Sequence, residues 1–247
     1  MMGKARGVVS GVLAFALWIT VGASFGAEGI GKPEAEGGKP PVVGGVRLLP
    51  DGKGLEIEGR VCLAEGILDF VAVIEKGREY ESVLALKCKP SALHAALLAM
   101  GAKPGPTPAF LRWRKKREDE APPKRVGSKL LITVEWKDED GKTRHVPAQS
   151  LLFNRKTKKV EPTSNPWIFT GSYFGKNLDG KQVYVADIDG AVISVVSDGG
   201  AVINLAEDAG NPYDDAEQGF VVNTKVVPKV GTPVKVTIRP APASEPE

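Results

Sequence analysis

The sequence predicts an α+β domain: predominantly antiparallel β-sheet, ten or more short strands, and one short helix near residues 90–101. Three observations carry that prediction. Short apolar runs alternating with polar residues recur between residues 43 and 240. Turn-forming Asp-Gly and Gly-rich steps separate them. One segment alone, PSALHAALLAMG, changes to helical spacing.

The chain opens with Lys4 and Arg6, an apolar run from Val8 to Val21, and small residues at Gly22, Ala23, Ser24, Gly26 and Ala27. That order predicts a signal peptide over residues 1–27, cleaved within 24–27, and therefore a periplasmic or extracellular protein. The apolar run is short for a bilayer span, and no later segment is long and apolar enough to supply one. Residues 28–42, rich in Gly, Pro and Glu, read as a flexible tether.

A β-rich domain then extends over residues 43–240. In GLEIEGRVCLA, Leu55, Ile57, Gly59, Val61 and Leu63 alternate with Glu56, Glu58, Arg60 and Cys62, as in a strand with one buried face. Residues 67–74 are apolar on both registers except at Asp69, which suits a central strand. SVLALKC is a further strand. Pro90 starts the helix, Ser91 offers a side-chain acceptor there, and Leu93, Leu97 and Met100 share one face. Gly101 stands just past its end. Residues 103–126 form an inserted loop whose prolines bracket a basic run around Trp113, followed by Glu118, Asp119 and Glu120. The adjacent acids make it a solvated loop rather than a nucleic-acid site. KLLITVEW, a DEDG turn and KTRHVPAQSLLFN follow as a hairpin; WIFTGSYFG, QVYVADIDG, AVISVVSD, AVINLA and PVKVTIRP complete the strands, with Asp187–Gly190 as a hairpin turn. Trp136 and Trp167 belong in or beside the core. Residues 241–247 form a disordered tail.

Overall charge excludes little except a strong polyanion binder. The chain has 33 Lys+Arg against 30 Asp+Glu, and loss of Lys4 and Arg6 leaves it nearly neutral. Cys62 and Cys88 are the only cysteines. In an oxidising compartment they are either one structural disulfide or two unpaired thiols.

Four segments together resemble the YdjY-domain family: residues 58–86, PSALHAALLAMGAKPG, VEWKDEDGKTRHVPA and WIFTGS. The family is largely uncharacterised, and some members are described as associated with iron–sulfur clusters. Two cysteines are too few ligands, so no such cluster is carried over. Family members often place a His before the Glu-Ser pair; here Tyr80 stands there. The resemblance implies a secreted, β-rich module.

Three chemistries were open to these residues. A hydrolase would combine Ser82 or Ser91 with His94 and Glu81 or Asp69, but no GxSxG elbow or oxyanion-forming glycine cluster sets that geometry. A calcium-type cation could be wrapped by the oxygen-rich loop of Glu207, Asp208, Asn211, Asp214 and Asp215, whose spacing departs from the EF-hand. The leading reading is a non-catalytic binding or structural module of the envelope, with no cofactor and no nucleic acid, recognising a small ligand or another envelope component. Ser91 as a helix start and His94 as a hydrogen-bonded residue at the core edge both fit it.

Overall fold

Leu55, Ile57, Gly59 and Val61 are buried along β3 (Leu55–Val61), while Glu56, Glu58 and Arg60 are less so. The same two-residue period runs through β7 (Lys129–Lys137) and β17 (Pro233–Pro240). These three strands form one wall of the protein in the computed structural model, which describes residues 40–106, 125–210, 212–213 and 215–242. The expected signal peptide, nearly all of the tether, residues 107–124 of the inserted loop and residues 243–247 of the tail lie outside the described residues.

The wall continues through β11 (Trp167–Phe169), β15 (Ile203–Leu205), β14 (Ala191–Ser194), β5 (Phe70–Ile74) and β6 (Ser82–Leu86), and β6 pairs back onto β3. The expected antiparallel sheet is therefore a closed eight-stranded barrel. It is mixed as well: β5 and β6 run parallel, as do β14 and β15, and the other pairs are antiparallel. Closure depends on β3. Its first residues accept β2 (Val46–Leu48), and its last three turn the same edge to β6. Gly59 sits at that changeover, where an added Cβ would lie 2.5 Å from the Ala85 carbonyl oxygen and 2.7 Å from Leu86 Cδ2. A side chain there would push β6 away from the seam.

Apolar side chains such as Leu55, Ile57, Leu130, Ile132, Val134 and Trp167 fill one continuous core. A second, antiparallel sheet adds Leu68, Leu152 and Phe220 to it. Its order is β10 (Lys159–Val160), β9 (Leu152–Asn154), β16 (Phe220–Val222) and β4 (Ile67–Leu68). The segment 142–154 was expected to return as one strand. It divides instead into β8 (Thr143–Pro147), paired with β7, then a 3-10 turn at Ala148–Leu151, then β9 in the second sheet. Burial of Ala148, Gln149 and Leu151 in that turn moves the chain from one sheet to the other. At the N-terminal side, β1 (Val42–Val43) forms a tight hairpin with β2.

The helix α1 (Pro90–Ala99) forms where expected and buries Pro90, Leu93 and Leu97, with Gly101 in the left-handed region at φ 81°. Its start differs from expectation. Lys89 is the N-cap and offers no side-chain hydrogen bond; the Ser91 amide donates to Asp187 Oδ1 at 2.8 Å. Asp187 was placed in a hairpin turn. It belongs to a one-turn helix, α2 (Val185–Asp189), which ends at Gly190 with φ 72°. The hairpin lies earlier, between β12 (Phe174–Lys176) and β13 (Gln182–Tyr184). The Gly190 amide donates to the carbonyl of the buried Ala186 at 2.9 Å, which closes the helical turn.

Candidate functional site

Packing α1 against the barrel places His94 beside β11 and α2. Its imidazole meets the Phe169 ring edge-on with centroids 5.0 Å apart, and the Tyr184 ring at 5.5 Å. Gly171 makes this approach feasible: an added Cβ would lie 2.9 Å from His94 Cε1 and 3.0 Å from Pro104 Cβ. The segments PSALHAALLAMG and WIFTGS, distant in sequence, therefore meet at one histidine.

Polar contacts fix the orientation of that ring. His94 Nδ1 lies 2.7 Å from Tyr184 Oη, and the Ser172 backbone N–H donates to the same oxygen at 3.2 Å. Burial pushes the Tyr184 hydroxyl up to about 12 and holds His94 below its ordinary value of 6.5. Near neutral pH the tyrosine therefore keeps its proton and shares a hydrogen bond with Nδ1, which leaves Nε2 as the ring nitrogen not engaged by Tyr184. Ser172 Oγ accepts the Ala186 amide at 3.1 Å, so its hydroxyl oxygen holds the start of α2.

Ser82 stands elsewhere. It begins β6, whereas α1 follows the other end of that strand, and its buried hydroxyl donates to the Arg78 carbonyl at 2.8 Å. Glu81 and Asp69 are near Arg78 and Asp198 instead of His94. Ser91 contributes its amide to Asp187, and the salt bridge from Lys89 Nζ to Asp187 Oδ2 spans 3.6 Å. The residues considered for a hydrolase are thus distributed over two regions of the barrel.

Neither cysteine is bonded to the other. The antiparallel β3–β6 register pairs Val61 with Leu84, so the Cys62 amide meets the Val83 carbonyl and Cys88 lies five positions farther along. At roughly 3.4 Å per residue the two are about 17 Å apart along the pair, beyond the reach of a disulfide. The disulfide alternative is thereby overturned. Cys62 Sγ donates to the Ser82 carbonyl at 3.0 Å, and burial pushes both thiols up to about 12.

In the oxygen-rich loop, Asp208 Oδ2 accepts from Ser197 Oγ at 2.7 Å and pairs with Arg125 at 3.2 Å. The Arg125 side chain is only 5% exposed, so this pair anchors the C-terminal stem of the inserted loop. Asp215 accepts the Glu217 amide and the Gln218 side-chain amide, and the Glu207 amide donates to Asn165. Asn211 and Asp214 lie outside the described residues. Among the described residues, no three His, Cys, Asp or Glu side chains are arranged to hold a metal ion.

Two open grooves flank Lys87. One, of about 340 Å³, is lined by Gly44, Glu75, Cys88 and Lys89 among others; its neighbour, of about 220 Å³, by Arg47, Glu56 and Glu58. Both place cationic and anionic side chains around a shallow floor.

The family model of the YdjY domain matches residues 60–239, from the last two residues of β3 to the penultimate residue of β17, and so takes in the other seven barrel strands. The chain belongs to the YdjY-domain family. Both segments that meet at His94 lie within the YdjY domain, as do Tyr184 and Asp187. No curated protein and no solved structure shows significant similarity to the chain. Sequence reasoning missed Tyr184, Asp187 and Arg78 as organising residues, because each acts on a partner that only the closed barrel brings near. No described helix is long and apolar enough to cross a membrane.

Proposed function

We propose that this YdjY-domain protein is an exported, non-catalytic module of the cell envelope, whose barrel presents a rigid surface to a small ligand or an envelope partner. The observation that carries this reading is the separation of Ser82 from His94, with each side chain committed to another contact. Ser82 Oγ donates to Arg78, and His94 Nδ1 is occupied by Tyr184. A nucleophile and a base must share a hydrogen bond or a close approach to activate one another, and these do not. The grooves beside Lys87 are the concave surfaces that suit recognition, with Lys87, Lys89 and Arg47 facing Glu56, Glu58 and Glu75. Such mixed charge fits a zwitterionic or peptide-like ligand better than a polyanion. The exported location rests on the basic, apolar and small-residue order of the first 27 residues.

Native and denaturing mass spectrometry of the protein purified from the exported fraction tests this reading. Loss of the first 24–27 residues and a retained small molecule or partner in the native spectrum would support it. Turnover of an ester or amide substrate that is lost in H94Q, while that variant remains folded at the assay temperature, would overturn it.

A further inference from the structure

Both parallel strand pairs of the barrel are joined by short crossovers. Residues 75–81 connect β5 to β6, and residues 195–202 connect β14 to β15. Parallel connections ordinarily need about a dozen residues or more, so both of these are held tight against the barrel. Since β5 pairs with β14, the two crossovers are neighbours. Beneath them lies a second, small core of Phe70, Val73, Ala191 and Ala201, separate from the main one.

One guanidinium spans the pair. Arg78, from the first crossover, lies 4.1 Å over the Phe70 ring and reaches Asp198 of the second crossover at 3.2 Å. It also pairs with Glu81 at 3.5 Å. Asp69 joins the same centre through its backbone, with its amide donating to Glu81 and its carbonyl accepting from Val195 and Ser194. Asp189, at the end of α2, faces Asp198 across Gly200, where an added Cβ would be 3.1 Å from Asp189 Oδ2 and 3.2 Å from Asp198 Oδ1. The charged groups facing one another are therefore Asp69, Glu81, Asp189 and Asp198, with Arg78 as the cation among them. Glu79 and Arg60 pair with each other at 2.8 Å.

We propose that the two crossovers form a proton-sensitive latch, in which Arg78 pairs with Glu81 and Asp198 beside the carboxylate of Asp189, and proton uptake by Glu81 or Asp189 tightens the seal over the small core. Burial and the neighbouring carboxylates raise both groups above their ordinary values of 4.5 and 3.8. Their protonated forms are thus favoured more in the folded than in the unfolded chain. The latch contribution is fully present below the ordinary carboxylate range and is lost as pH rises through the folded values. An exported barrel would meet such pH changes directly.

Hydrogen exchange of residues 75–81 and 195–202, corrected for the intrinsic pH dependence, and melting temperature should be followed from pH 7 to about pH 3 in the wild type, E81Q and D189N. Acidification should increase protection of both crossovers in the wild type. E81Q should melt about 2–4 °C above the wild type at pH 7, with the difference vanishing only below the ordinary carboxylate range, by about pH 3. D189N should act in the same direction and serves if E81Q does not fold. Comparison with the variants removes the opposing contribution of His94, which both retain. Parallel pH curves for the wild type and the folded variants, or crossover protection that ignores pH, would overturn the latch.

Discussion

Asp187 Oδ1 accepts the Ser91 backbone N–H at 2.8 Å, so the first turn of α1 is capped by a carboxylate from α2, 96 residues later in the chain. The helix has no cap of its own at Lys89, and an anion at a helix N-terminus is favoured both by the hydrogen bond and by the helix dipole. Asp187→Ala should therefore destabilise the protein by about 1 kcal/mol. Urea denaturation should show a lower midpoint with an unchanged slope. Lys89→Ala should change little, since its side chain is 65% exposed.

Tyr184→Phe removes the hydroxyl that serves both His94 and the Ser172 amide. Leaving these groups unsatisfied at a mostly buried position should cost about 1–3 kcal/mol. Thermal melting of the variant against H94Q would resolve the shared contact: the double variant should lose less than the two single losses combined.

His94 should titrate below 6.5 in the folded protein, because burial disfavours its charged form. The unfolded chain then binds the proton at higher pH than the folded one. The His94 contribution to stability is thus present above the ordinary value and lost as pH falls through the folded value. Imidazole NMR resonances of His94 check this directly. A His94 titration at or above 6.5 would contradict its burial.

Gly59→Val should prevent barrel closure, because its Cβ alone would lie 2.5 Å from the Ala85 carbonyl oxygen. Backbone atoms cannot yield as a flexible side chain can, so the loss should exceed the roughly 1–3 kcal/mol of ordinary overpacking. Circular dichroism and soluble yield of the variant would report it.

Two free thiols should be found per chain under denaturing conditions, and reducing agent should leave the melting temperature unchanged. In the native state, alkylation should be slow at neutral pH, with both thiols pushed up to about 12. Thiol counting by mass spectrometry before and after unfolding distinguishes these states.

Much of the barrel was legible along the chain. Alternation in β3, β7 and β17, the buried β5, the DEDG turn between β7 and β8, and the 90–99 helix all follow from local period and turn chemistry. Trp136 and Trp167 are buried as expected. The candidate site was legible only as separate pieces: His94 and the segment WIFTGS stood out independently, with nothing in either to say that they meet. α2 was misread because Asp-Gly is a turn signal in a hairpin and equally a helix end, where Gly190 takes a left-handed conformation.

Local sequence determined which residues alternate and where the helix begins and ends. Tertiary structure alone decided that the sheet closes, that β5–β6 and β14–β15 run parallel, and that Cys62 and Cys88 lie at opposite ends of one strand pair. It also decided that Asp187 caps a helix and Tyr184 orients His94. The physical reason is range: periodicity and turn preference act over a few neighbouring residues, whereas register, closure and these hydrogen bonds join segments about 90 residues apart, whose distance is set only when the core packs.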